Sequence, residues 1–320
     1  MVGAGTALVA SSLRAIGARA AIDSTPIRFG AQTTIWGAAA LIAEDTGLWS
    51  KYGAKVQSIR VATGTVNRDG LISGSLDAAT LGATPFALAA SHADLQAIAI
   101  NAYTGGTLSV VVGKNSKYKT VADLKGAKIG TNLGSSTNEI FVDKIAPKFG
   151  LAETDYHLIN MSFQDMVGAL ETKGIDAFLG VEPFPSLAIY NGFGRVLTTY
   201  AKYDYSPDFI VFRGSFIKDH RDDVVAALRG WLAVLQLYRH RAAYCDQLLY
   251  EDFKKHGASM PPAVLKLAMA NMEFNPNYRP DIHAYMHAQA EILMKRNAIS
   301  VEPDWNKVLR TDILAEAQRA

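Results

Sequence analysis

From Pro26 onward the chain alternates short apolar runs rich in β-formers with segments of helical period, and this alternation limits the fold more than any other feature. Runs at 27–32, 55–61, 77–81, 95–101 and 108–112 read as strands, with helical patterns at 36–51, 66–73 and 85–92 between them. A similar block follows, with strands at 128–130, 156–160, 176–179, 196–199 and 209–212 and helices at 136–149, 163–173 and 185–190. The runs at 95–101 and 108–112 are apolar almost throughout, as suits strands covered on both faces. Elements alternating at this length predict parallel sheets built from βαβ units, an α/β fold of two lobes flanked by helices. Beyond 212 the pattern is helical: 222–239, with Val224, Leu228, Trp231 and Leu235 on one stripe, then 244–255, 262–272, 281–295 and 305–317.

The chain is expected to cross between lobes near Thr104–Gly106 and to return near Tyr205–Asp208. The first lobe then comprises 21–104 and 208–320, with a helical C-terminal tail, and the second 105–207. Residues 1–20 are rich in Ala, Gly and Ser, moderately apolar, and end in Ala18-Arg19-Ala20, an A-x-A cleavage pattern. They are expected to be an export signal, shortened at its N-terminus because no basic head precedes the apolar part. No cysteine follows it, so the product is expected in the periplasm without a lipid anchor.

Composition excludes several classes. Lys and Arg number 32 against 30 Asp and Glu, mixed along the chain, so no basic stripe points to nucleic acid. The single cysteine, Cys245, allows no internal disulfide and no zinc spacing. There is no G-x-S-x-G, H-E-x-x-H, P-loop or dinucleotide fingerprint after a strand, so no catalytic role and no cofactor are expected. His283, His287 and Glu291 share a helix face without a fourth ligand and read as solvated surface rather than a metal site.

What remains is a set of loops that follow strands. Gln32-Thr33-Thr34-Ile35-Trp36, Thr63-Gly64-Thr65, Gly82-Ala83-Thr84-Pro85-Phe86 and Thr104-Gly105-Gly106-Thr107 are small and hydroxylated, several beside an aromatic residue. In open parallel sheets ligands bind at the carboxyl ends of strands, where helix N-termini converge. Gly134-Ser135-Ser136-Thr137 opens another helix, and Ser136 to Glu139 fits a capping box, with Ser136 starting the helix. The same stretch can offer hydroxyls and amides to an anion. Together the loops predict a polar cleft with aromatic walls.

Four segments carry a resemblance: AEDTGLWSKYGAKV (43–56), LISGSLDAATLGATP (71–85), VADLKGAKIGTNLGSS (121–136) and LETKGIDAFLGVEPF (170–184). In this order they resemble the substrate-binding components of ABC importers for sulfonates, taurine, nitrate and the thiamine pyrimidine precursor. The resemblance implies a type II periplasmic binding protein fold, a ligand at the hinge cleft, delivery to a permease with its ATPase, and a monomer without enzymatic activity. It also implies ligand contacts from Gln32, Thr33, Trp36, Gly64, Thr65, Thr84, Phe86, Gly105, Gly106, Thr107, Gly134, Ser135, Ser136, Thr137 and Glu182, and Tyr205 is expected to add aromatic surface at the cleft. The aromatic residues favour a small organic anion, a sulfonate, taurine or carboxylate, over nitrate. Glu182 either accepts from a ligand N–H or caps the turn at Pro183, and Arg68 either pairs with an anion or is solvated. The alternatives are a neutral aminopyrimidine or nitrate, or a same-fold enzyme of pyrimidine or menaquinone synthesis.

Overall fold

The computed structural model describes residues 26–257 and 260–319; the expected export segment at 1–20 lies outside the described residues. The first half alternates as the sequence suggests: β1 (Ile27–Gln32), α1 (Ala38–Asp45), α2 (Leu48–Lys51), β2 (Val56–Val61), α3 (Gly64–Ser73), β3 (Ala78–Gly82), α4 (Ala83–Ala90) and β4 (Leu95–Tyr103). The chain then passes through β5 (Leu108–Gly113), β6 (Lys128–Thr131), α5 (Ser136–Ile140), β7 (His157–Asn160), α6 (Phe163–Glu171), β8 (Ala177–Val181), α7 (Phe184–Tyr190) and β9 (Gly194–Thr199). It ends with β10 (Pro207–Arg213), α8 (Gly214–Asp219), α9 (Arg221–Lys255), α10 (Pro262–Ala270), α11 (Ile282–Lys295), α12 (Trp305–Val308) and α13 (Thr311–Gln318).

Two five-stranded sheets result, ordered β2-β1-β3-β10-β4 and β7-β6-β8-β5-β9. They are mixed rather than wholly parallel: β10 runs against β3 and β4, and β5 against β8 and β9. The crossing explains the exception. β4 ends at the cleft, so a strand that starts there and enters the other sheet must run the opposite way, and the same holds for β9 followed by β10. The two crossings are bonded together, Thr104 N–H to Ser206 O at 2.9 Å and Gly105 N–H to Tyr205 O at 3.2 Å. A β-carbon on Gly105 would lie 2.2 Å from Asp204 O, so only glycine lets the crossings approach this closely.

The first sheet is covered on both faces, which alternation along β10 makes explicit. Ile210 and Phe212 face a cluster with Trp49 and Trp231, whereas Phe209 and Val211 face Phe86, Met286 and Leu293. Phe29 packs between Trp49 and Trp231 with ring centroids 5.8 and 5.5 Å away.

Three helix expectations change. The helix expected over 136–149 becomes α5, a π turn at Phe141–Ile145 and a 3-10 turn at Ala146–Phe149. Pro147 explains this, since it has no amide to return to residue 143 and its ring crowds that carbonyl. The helices at 222–239 and 244–255 join as α9 across non-helical Arg241, at φ −141° and ψ 48°. The span at 305–317 breaks because Leu309 bridges Ala97 and Arg310 N–H bonds Ala97 O, covering the open edge of β4.

Candidate functional site

A cavity lies between the sheets where β1, β3 and β8 end. Its lining draws on both: Gln32, Thr34, Trp36, Thr63, Gly64, Thr65, Gly82 and Pro85 from one side, and Ser135, Ser136, Thr137, Phe163 and Val181 from the other. The space is about 30 Å³, room for one or two waters. An organic ligand therefore enters only when the two sides part. None of the lining side chains is charged. Larger concavities occur on the outside, one of about 720 Å³ between the outer face of α9 and Glu273–Asn277, but it lies away from the strand ends.

The second-side wall is built by one glycine. Gly134 sits at φ +76° and turns the chain so that Ser135, extended at ψ 155°, becomes the N-cap of α5. Ser135 Oγ accepts from Asn138 N–H at 3.3 Å and donates to Asn132 O at 2.6 Å. The cap is therefore Ser135 and not Ser136, one residue earlier than the capping-box expectation. The shift frees Ser136: its hydroxyl is buried and has no partner among the described residues. Such a group is costly unless something else bonds to it. Thr137 is buried beside it, and its carbonyl accepts from Tyr200 O–H at 2.9 Å.

On the first side, Thr34 caps the turn that carries Trp36, and the indole Nε1–H donates 2.9 Å to Thr107 Oγ1 at the crossing. Thr107 in turn donates to Thr104 O at 2.8 Å. Thr63 caps α3, accepting from Val66 N–H. Beneath the cavity, Asn101 Nδ2 donates to Trp36 O at 2.9 Å and to Asp208 Oδ2 at 2.6 Å. Asp208 is fully buried with Oδ1 unpartnered, and burial pushes its pKa up to about 7, the Asn101 bond offsetting part of the rise.

Of the residues expected to meet a ligand, Gln32, Trp36, Gly64, Thr65, Ser135, Ser136 and Thr137 converge on this cavity. Gly134 stands at its rim, where an added β-carbon would lie 3.9 Å from Thr65 Cγ2. The others fall elsewhere. Thr33 is half-buried and pairs through its backbone with Val61, while its neighbour Thr34 turns inward. Thr84 is buried within α4 with an unpartnered hydroxyl, outside the lining. Phe86 is corrected from cleft wall to core, its ring 4.9 Å from Phe209 and 6.3 Å from Trp305. Gly105 and Gly106 serve the crossing, pressed against Asp204 O and Asn271 O, and Thr107 reaches the site only through Trp36. Tyr205 stacks among Tyr103, Tyr285 and Arg279, away from the lining.

Glu182 takes the capping alternative. Its buried carboxylate accepts from Ser186 N–H at 3.2 Å, Ser186 O–H at 2.9 Å and Asn271 Nδ2 at 3.3 Å. Burial raises its pKa, with these bonds acting against the rise. Arg68 pairs with its neighbour Asp69 at 2.8 Å and stays on the surface. The residues that sequence reasoning missed are Thr34, Thr63, Gly82, Pro85, Phe163 and Val181. The first four stood inside the hydroxylated loops; Phe163, stacked on Phe184 at 6.2 Å, gave no signal beyond following a helix cap.

Residues 20–246 match the NMT1-like family, and the chain belongs to that family. A Bacillus subtilis protein named as an aliphatic sulfonates-binding protein is 28% identical over 299 residues, 91% of this chain and 87% of its own length. Among solved structures, the periplasmic aliphatic sulphonate binding protein SsuA of Escherichia coli superposes with a TM-score of 0.77 at 22% identity, covering 89% of this chain and 91% of that one. SsuA of Xanthomonas axonopodis pv. citri, bound to MOPS, gives 0.75 at 20%, covering 92% and 98%. The fold is thus that of the periplasmic binding proteins. It is not confined to them: the desulfurization enzyme DSZB scores 0.70 at 12% identity, covering 92% and 99%.

Proposed function

We propose that this chain is the solute-binding component of an ABC importer. It takes a small organic anion, a sulfonate, taurine-like molecule or carboxylate, into the cavity between its lobes and delivers it to a permease. The observation that carries this is the buried, unpartnered hydroxyl of Ser136 at the start of a helix, in a cavity rich in hydroxyls and free of charged side chains. A carboxylate in the lining would repel an anion, and the lining holds none; Glu182 lies outside it, bonded to Ser186 and Asn271. Hydroxyls and helix-start amides supply donors for sulfonate or carboxylate oxygens. Trp36, Phe163, Pro85 and Val181 give the organic part an apolar wall.

Binding rather than catalysis is the reading that the relatives named as binding proteins favour. The relatives named as binding proteins favour periplasmic action, and no described helix is long and apolar enough to cross a membrane.

The test is a calorimetric and thermal-shift screen of protein refolded to strip carried-over ligand, against alkanesulfonates, taurine, aromatic carboxylates, nitrate and aminopyrimidines. Ligand at a hundred times Kd stabilises by about 2.7 kcal/mol, a shift of a few degrees. Shifts confined to aminopyrimidines or nitrate would overturn the organic-anion reading.

A further inference from the structure

Helix α11 belongs to the first lobe by its packing, with Met286, Ala290 and Leu293 buried in the same cluster as Phe86 and Phe209. The residue that follows it, Arg296, leaves that lobe. Its guanidinium lies 2.5 Å from Asp143, 3.3 Å from Glu139 and 3.6 Å from Glu153, all in the second lobe. One cation thus answers three carboxylates. Asp143 needs it most, because its side chain is almost wholly buried and its Oδ2 has no other partner among the described residues. Nearer the hinge the same helix makes a second contact. Tyr285 O–H donates to Asp204 at 2.8 Å, Asp204 pairs with Lys144 at 2.6 Å, and the Lys144 ammonium lies 4.4 Å from the Tyr285 ring centroid. The hinge-side contact turns on a short radius when the lobes move, whereas Arg296 sits at the far end of α11 and travels most.

Glu139 connects this clasp to the cavity. It stands in the first turn of α5, whose opening residues Ser136 and Thr137 line the site, so its charge opposes an anion there. Its Oε1 accepts from Asn138 Nδ2 at 3.0 Å within the same lobe, and its Oε2 meets one cation, Arg296, across the gap at 3.3 Å.

We infer that Arg296 is a positioning residue for ligand capture: it latches the closed lobes through Asp143, Glu139 and Glu153, and in doing so offsets part of the negative charge that α5 would present to an incoming anion. The latch stands on the ion pairs alone; the effect on affinity rests on the reading of the cavity as an anion site. Closure and affinity are then coupled, and the coupling passes through a residue that touches no ligand.

Two readouts separate these claims. Spin labels at Ser50→Cys and Glu171→Cys, one exposed site on each lobe, on a Cys245→Ala background, report the interlobe distance by pulsed dipolar spectroscopy of the ligand-free protein. Arg296→Gln is expected to enlarge the long-distance population, and to weaken 1-butanesulfonate by about tenfold, within the usual range for coupled sites. In a Glu139→Gln/Asp143→Asn background the same substitution is expected to change neither readout by more than about twofold. An unchanged distance distribution overturns the latch, and an equal loss in both backgrounds places the effect of Arg296 elsewhere. Should the wild type bind no anion at all, the proposed function fails while the distance measurement still decides the latch.

Discussion

Gly82 offers the sharpest test that the cavity is closed by the two lobes meeting. It ends β3 and precedes α4 at φ −64° and ψ 165°, a conformation that any residue adopts. What excludes a side chain is the opposite lobe: a β-carbon there would stand 2.3 Å from Ser136 Oγ, 3.3 Å from Ser136 Cβ and 3.6 Å from Trp36 Cζ3. In Gly82→Ala the Ser136 hydroxyl, which has no partner, can rotate away, leaving only a tightened carbon–carbon contact. About 1 kcal/mol of strain is expected, roughly fivefold in Kd. In Gly82→Val two further methyl groups have no such escape, since Ser136 and Trp36 flank the site. Overpacking of this kind costs about 1–3 kcal/mol. The share of the cost that comes from Ser136 falls on the closed form alone, so 1-butanesulfonate affinity should drop by up to roughly five- to 150-fold. Titration calorimetry reads the affinity, and thermal melting of the ligand-free protein serves as the control. Melting should change less than affinity, because the Ser136 contact is lost when the lobes part and only the contact with Trp36, on the same lobe, remains. Wild-type affinity in Gly82→Val would refute the premise that ligand is held where Gly82 meets Ser136. A fall in ligand-free stability matching the loss of affinity would show that the substitution damages the first lobe itself.

Ser136→Ala removes a buried hydroxyl that bonds to nothing, so melting should hold, while loss of a hydrogen bond to a charged ligand should weaken an alkanesulfonate roughly ten- to 150-fold by calorimetry. Ser135→Asp keeps the N-cap acceptor, since aspartate caps as well as serine, but loses the bond donated to Asn132 O and sets a negative charge in the lining; melting should fall by about 1 kcal/mol while anion binding vanishes, and retained binding would remove the α5 start from the site. Asp208 has a pKa of about 7 in the fold against 3.8 for the free carboxylate, so the folded state holds the extra proton between these values; stability is full below about pH 4 and declines as pH rises through 7, by up to about 4 kcal/mol. Asp208→Asn should flatten that slope in denaturant titrations from pH 4 to 8, and an unchanged slope would assign it to another group. Trp36→Phe loses the indole bond to Thr107 and should lower stability by about 1 kcal/mol in the same titrations.

The architecture was legible because period and turn chemistry are local signals. The strand at 27–32 is where alternation placed it, and the crossing near Thr104 follows from a glycine pair between two apolar runs. The antiparallel direction of β5 and β10 was not legible, since it follows from which end of each sheet faces the cleft, a relation between segments far apart in sequence. The site divides in the same way. Among the residues lining the cavity, Thr65 and the 135–137 stretch were readable because hydroxyls after a strand mark helix starts, and Gln32 because it ends the first strand. Phe86 misled because an aromatic residue next to a polar loop looks identical whether α4 turns it toward the cleft or toward Phe209. Arg296 gave no signal at all, as its role depends on α11 lying across the interlobe gap. Ser135 and Ser136 exchanged roles because Gly134 takes φ +76°, a backbone choice that the letter G permits without announcing.

Under the proposed function, the absence of charge from the lining bears on release of the anion as much as on its capture. An arginine paired with a sulfonate in a dry cavity would hold it strongly, and opening would have to break that pair at considerable cost. Hydroxyls and amides lose little when the lobes part, because water takes the ligand's place on each donor. Selectivity for an anion then comes from the direction in which these neutral donors point, and retention comes from closure, which excludes the competing water. On the proposed reading, the charged groups that matter have been moved off the ligand and onto the seam between the lobes, where Arg296 meets Glu139 and Asp143. A permease that pulls the lobes apart would break those pairs first, returning negative charge to the start of α5 as the cavity opens. The ligand would then be weakened twice by one movement, through hydration of its donors and through the uncovered carboxylates behind them.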